Sequence, residues 1–289
     1  MLKSAPTNGR SRERAPFAKA TTLPARSRGN RRLRFALSLV LISLPGLPLC
    51  ADVCDPAALV GAYGFQLSGE TTISGESKPV SNIGRMVLAA DGAISGYSTA
   101  MFAGFLLGNP VTGIYEARWD CTISWSLQDD SGAFQHFDGV ATSDGKTVHF
   151  RQADPGGAQH GIMARTPAEC KPSDLRTQYA FTLSGASIPM LPGPASNTAS
   201  NTIDAKGLIK ADANAGFKLA LEGASALTSD VTIAVDAQCI VEIELSLPAQ
   251  DPAAITPVKL RGVLIHEGRE ILAIETDPGA MVTAAFTAP

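Results

Sequence analysis

Four histidines occur in 289 residues. Three of them, His136, His149 and His160, crowd one stretch, and His266 stands far downstream. On an alternating segment His136 and Asp138 share a face two residues apart, and His149 and Arg151 share one on the next. An imidazole beside a carboxylate could relay a proton near neutral pH or ligate a metal. Yet Phe137, Val148 and Phe150 take the opposite phase, which makes the histidine side the solvent face of a strand. Ser68 and Ser184 lie in Leu-Ser-Gly triplets, read as strand ends before a glycine turn. The chain contains no Gly-x-Ser-x-Gly elbow, phosphate loop or dinucleotide-binding glycine pattern. Asp129-Asp130, followed by Ser131-Gly132, reads as a solvated hairpin turn, and Glu242 and Glu244 as a solvent-facing strand face. No catalytic residue, cofactor or metal site is assigned from these groups.

The residues that would hold such groups in place are organised by a duplication. CDPAALVGAYGFQLSG at 54–69 matches CKPSDLRTQYAFTLSG at 170–185, an offset of 116. YEARWDCTISWSL at 115–127 matches IAVDAQCIVEIEL at 233–245 at 118, and 138–164 matches 261–286 at 123. A slowly growing offset marks loop insertions in a second copy. The expected organisation is therefore a targeting segment at 1–51, a first repeat at 52–168 and a second at 169–289.

Both copies alternate apolar and polar residues, as in Tyr115, Ala117, Trp119, Cys121, Ile123, Trp125 and Leu127. Thirteen residues is long for one strand, so a bend or tight turn is expected near Asp120–Thr122. Asp91-Gly92, Asp144-Gly145 and Glu267-Gly268 signal hairpins, and Asp154-Pro155-Gly156 and Asp277-Pro278-Gly279 mark turns before each copy's last strand. The prediction is an all-β protein: two tandem small antiparallel β-barrels or barrel-like sandwiches, each of six to eight strands.

Tyr63-Gly64-Phe65 with Gly69, Asp91-Gly92, Trp119-Asp120-Cys121-Thr122 and Asp154-Pro155-Gly156 resemble small secreted bacterial repeat domains. Those are similar to the allene oxide cyclase barrel, an eight-stranded calycin-like fold. The resemblance spans each copy but rests on turn and packing residues. It implies a barrel and carries over no catalytic residue.

Five cysteines are present, Cys50 among them, and none forms a Cys-x-x-Cys pair, which disfavours zinc. Cleavage after Ala51 would leave four. Of the three possible connectivities, the symmetry of the repeat selects Cys54–Cys121 and Cys170–Cys239.

Charge separates the leader from the body. Residues 1–51 hold ten Lys/Arg and one acidic residue, Glu13, leaving 14 basic against 26 acidic side chains. So acidic a body repels phosphate backbones, and nucleic-acid binding is not expected. Arg31, Arg32 and Arg34 precede the apolar stretch 35–49, the size of a signal-peptide core and too short to span a membrane. A transit peptide, or a lipoprotein signal ending at Cys50, are the other readings. Secretion or a periplasmic location is the working expectation.

The first copy has eleven aromatic residues from Tyr63 to Phe150, the second only four. That asymmetry suggests an apolar cavity in the first repeat, with Tyr115, Trp119 and Trp125 on the inward phase as ligand-binding candidates. A bulkier core is the plainer account. Three functional classes follow: a non-enzymatic module binding a small hydrophobic ligand, a cyclase or isomerase of a small apolar substrate, and a structural or surface-interaction protein. The absence of a catalytic constellation favours the first. The sequence assigns no oligomeric state.

Overall fold

The computed structural model describes residues 54–73, 76–128, 134–187, 202–212, 216–222, 229–248 and 255–289. The expected targeting segment at 1–51, the Asp129-Asp130 pair and most of the Pro- and Ser-rich stretch 186–202, read from its composition as a flexible insertion, lie outside the described residues.

The chain forms two closed eight-stranded antiparallel barrels. The first comprises β1 (Gly61–Ile73), β2 (Glu76–Leu88), β3 (Ala93–Phe102), β4 (Phe105–Ala117), β5 (Thr122–Gln128), β6 (Phe134–Ala141), β7 (Thr147–Gln152) and β8 (His160–Arg165). The second comprises β9 (Gln178–Ser187), β10 (Thr202–Asp212), β11 (Gly216–Leu221), β12 (Ser229–Val235), β13 (Ile240–Pro248), β14 (Ile255–Ile265), β15 (Glu270–Glu275) and β16 (Ala280–Thr287). Within each barrel every strand pairs with the next in sequence. Closure comes from β8 returning to β1 and β16 to β9, which leaves no sheet edge in either barrel. Among the described residues the remaining regular structure is three 3-10 turns, Pro56–Leu59, Pro172–Asp174 and His266–Gly268.

The long alternation at 115–127 is a hairpin. Tyr115 pairs with Trp125 and Ala117 with Ile123, around a three-residue loop at 119–121. Directly opposed residues share a face and here differ by an even number, so period-two alternation runs unbroken through the turn. Only the loop residues leave the pattern. Cys121 closes the loop at φ 69°, and Cys239 repeats the device at φ 65°. Trp119 therefore points away from the barrel and is 64% exposed, which corrects its expected inward phase. Leu67-Ser68-Gly69 also differs from expectation, because β1 continues beyond it to Ile73. Gly69 lies within the strand at φ 142°, where a Cβ would come 2.3 Å from the Ala158 carbonyl oxygen.

One end of each barrel is plugged. The lead to β1 turns at Pro56–Leu59, tucks Leu59 into the core and is tied to the β4–β5 turn by Cys54–Cys121. Cys170–Cys239 does the same in the second barrel, as the repeat symmetry requires. Tyr63 donates its hydroxyl to the Gly145 carbonyl (2.6 Å), and Tyr179 donates to that of Gly268 (2.9 Å). Burial pushes the Tyr63 phenol up to about 12, partly offset by Arg165, whose guanidinium lies 4.6 Å from the ring centre. Arg165 also donates to the Val60 carbonyl at 2.7 Å and to that of Ala58, pinning the plug from inside.

The barrels pack side by side through Ile83, Met101 and Ala164 against Val263, Ile265, Leu272 and Ile274, all buried. Gln66 crosses this seam, donating Nε2 to the carbonyls of Ala273 (2.6 Å) and Ala284 (3.3 Å), and Thr166 donates its hydroxyl to that of Leu264 (2.8 Å). Gly64 permits the approach, since a Cβ there would sit 2.6 Å from a Val263 methyl.

Candidate functional site

The other end of the first barrel is open. The ends of β1, β3, β5 and β7 meet the starts of β2, β4, β6 and β8 around a cup of about 580 Å³. Phe65, Val111 and Leu127 line its deeper part, and Ala100, Phe102, Leu107 and Phe134 contribute apolar wall and rim. Phe134, at the rim, is 56% exposed.

Amides punctuate this apolar surface. Asn82, Asn109, Gln135, Gln152 and Gln159 all line the cup, with Ser98 among them. Gln159 is only 3% exposed. Gln159 Nε2, Gln152 Oε1 and Asn82 Oδ1 have no hydrogen-bond partner among the described residues. A buried amide atom without a partner carries a desolvation cost of about 1–3 kcal/mol, which a ligand supplying the missing hydrogen bond would offset. Asp154 is the sole ionisable residue among the described lining residues. Its Oδ2 accepts from the His136 backbone N–H (2.8 Å) and from Gln152 Nε2 (3.1 Å), and its Oδ1 lies 2.7 Å from His136 Nδ1. Partial burial pushes this carboxyl up, but the hydrogen bonds from His136 and Gln152 outweigh it and hold it below the usual range.

The three aromatic candidates do not form the cup. Trp125 is 5% exposed and packs in the core, stacked on Phe137 (5.5 Å between ring centres) and edge-on to Phe150 (5.0 Å). It lies two residues along β5 from Leu127, toward the plugged end. Tyr115 is half-buried opposite Trp125 and donates its hydroxyl to the Ala89 carbonyl (2.8 Å). Trp119 is in solvent at the plugged end. These residues explain the bulk of the core, whereas the cup is lined by residues that sequence reasoning passed over. A signal for them existed: Gln135 and Gln152 have the same parity as the inward Phe137 and Phe150 and so face the interior.

His136, Asp138 and His149 lie on the outer face, exposed as their phase required, and His136 meets Asp154 rather than Asp138. Among the described residues, no group of three or more His, Cys, Asp or Glu side chains is arranged to hold a metal. No helix among them is long and apolar enough to cross a membrane.

The second barrel replaces these amides. Strand register equates Asn82 with Ala205, because each lies opposite the matching leucine, Leu67 or Leu183. The offset of 123 equates Gln135 with Val258, Gln152 with Glu275 and Gln159 with Val282, and all three second-copy residues are buried. Burial pushes the Glu275 carboxyl up to about 7, aided by Asp277.

No family model and no curated protein matches the chain. Solved structures with some likeness include transferrin-binding protein B from serogroup B Neisseria meningitidis, at 8% identity and a TM-score of 0.28, covering 80% of this chain and 75% of that one. A mutant transferrin-binding protein B from Haemophilus parasuis Hp5 gives 8% identity and 0.28, over 78% and 75%. A protein described as an AttH from Nitrosomonas europaea gives 8% and 0.24, over 84% and 98%.

Proposed function

We propose that the protein is an exported, non-catalytic binding module that holds a small amphipathic ligand in the cup of its first barrel, with the second barrel as a structural partner. The observation that carries this reading is an open cavity of about 580 Å³ whose apolar walls bear unpartnered amide atoms. Its volume falls in the range of small-molecule sites, roughly 300–1,000 Å³. An apolar tail would gain about 0.8 kcal/mol per buried CH₂, set against the cost of association. Two disulfides fit an oxidising compartment, the periplasm or the cell exterior. Cyclisation of an apolar substrate, the alternative raised by the resemblance, gains little support from the cup, where the one ionisable residue among the described lining residues is already engaged by His136 and Gln152.

Nile red, an uncharged amphipathic dye, tests the reading. It should bind with a blue-shifted emission, and Ala100→Trp, which fills the cup, should weaken binding at least tenfold. Leu107→Glu, at a partly exposed rim position, should do the same without a packing cost. Ile114→Ser, on the outer face, should change nothing. Undiminished binding in both cup variants would refute the assignment.

A further inference from the structure

The lining of the cup restricts the kind of head group it can accept. Resting on the binding reading above, we infer that the ligand is an uncharged amphiphile whose polar head carries both a hydrogen-bond acceptor and a hydroxyl or amide N–H donor. Neutral hydroxy-esters and hydroxy-amides are the class that fits.

The orientation of Gln152 is set by its neighbour. Asp154 is held ionised and can only accept, so the Gln152 amide must turn its Nε2 to the carboxylate (3.1 Å) and its Oε1 away from it. That oxygen is buried and has no partner among the described residues. Gly157 makes room for this arrangement, since a Cβ there would stand 2.2 Å from Gln152 Oε1. Across the cup Asn82 Oδ1 is a second unpartnered acceptor, and Gln159 Nε2, on a side chain only 3% exposed, is an unpartnered donor. A ligand completing Gln159 and either acceptor must accept from Gln159 and donate to Gln152 or Asn82. An alkane does neither, and a simple ketone only accepts.

Charge is excluded by the same lining. No Lys or Arg is among the described lining residues, so a carboxylate or phosphate head would be desolvated without a counter-ion and would face Asp154. Among the described lining residues an ammonium head finds only Asp154, whose two oxygens already meet three groups of His136 and Gln152. The cup therefore separates amphiphiles by head group while tolerating variation in the tail, for which Phe65, Ala100, Val111 and Leu127 offer apolar wall.

The test is displacement of bound Nile red from the two-barrel protein by three ten-carbon probes below their micelle concentrations: monodecanoylglycerol, decanoate and decyltrimethylammonium. Monodecanoylglycerol should displace the dye at a concentration at least tenfold lower than either ion. Gln159→Leu should narrow that advantage to less than threefold while the dye still binds. Displacement by decanoate or the ammonium at equal or lower concentration overturns the inference and leaves the binding module standing. Dye that binds but yields to none of the three also overturns it. Failure of Nile red itself to bind removes the binding reading, and this inference with it.

Discussion

Glu275 offers a quantitative test of how the second barrel is built. It occupies the inward position that Gln152 holds in the first, is 7% exposed, and its Oε2 has no hydrogen-bond partner among the described residues. Burial, with a smaller contribution from Asp277, pushes its pKa from 4.5 to about 7. A carboxyl with a higher pKa in the folded chain binds its proton more tightly there than when unfolded. Stability is therefore greatest below the unfolded value, declines as pH rises from about 4.5, and stops declining above about 7. At about 1.4 kcal/mol per pH unit, the full loss is about 3 kcal/mol. Glu275→Gln keeps the shape and removes the titration. Relative to wild type it should be level near pH 4.5 apart from a constant offset, and more stable by about 3 kcal/mol at pH 8.5. For a unit of this size that is roughly 6–12 °C in Tm. Paired thermal scans from pH 4.5 to 8.5 read the difference directly, because every other titration cancels between the two proteins. A difference that does not change with pH would refute the assignment of a buried, proton-binding Glu275.

Further outcomes follow from the packing. Replacing Cys54 and Cys121 together by Ser should lower stability by about 4 kcal/mol in a urea titration, since the bridge closes a loop with a sequence separation of 67; an unchanged midpoint would show that the plug holds without it. Phe137→Ala should cost about 3–5 kcal/mol by emptying the centre of the Trp125–Phe150 cluster, whereas His149→Ala on the outer face should stay within about 0.5 kcal/mol. Trp119→Phe should remove the solvent-exposed, red-shifted part of the fluorescence and leave the blue emission of Trp125, with no change in Tm; a blue residue lost instead would reverse the assignment of the two indoles. Gly64→Val should drive a side chain into Val263 and Ile265 and split unfolding into two transitions, and a single unshifted transition would show that the seam does not couple the barrels.

Much of the architecture was readable in the chain because it depends on local rules that a duplication states twice. Alternating phase specifies which side chains face inward, Asp-Gly, Glu-Gly and paired Asp-Pro-Gly signals place turns, and cysteines at matching positions in two copies can pair within a copy in only one way. Two all-β barrels with Cys54–Cys121 and Cys170–Cys239 follow from that information. Trp119 marks where the rules fail, because parity survives a three-residue hairpin loop while the side chain inside the loop leaves the barrel. Parity also places Gln135 and Gln152 inside, but it says nothing about depth along the barrel axis. Closure decides depth: it sets Trp125 and Phe137 within the packed core and the amides at the unplugged end, with strands distant in sequence bringing Asn82 and Gln159 to one cup. Which inward residues are packed and which are left open to a ligand depends on the plug, the strand stagger and the seam with the second barrel. These are properties of the assembled sheet, and no segment of the chain carries them alone.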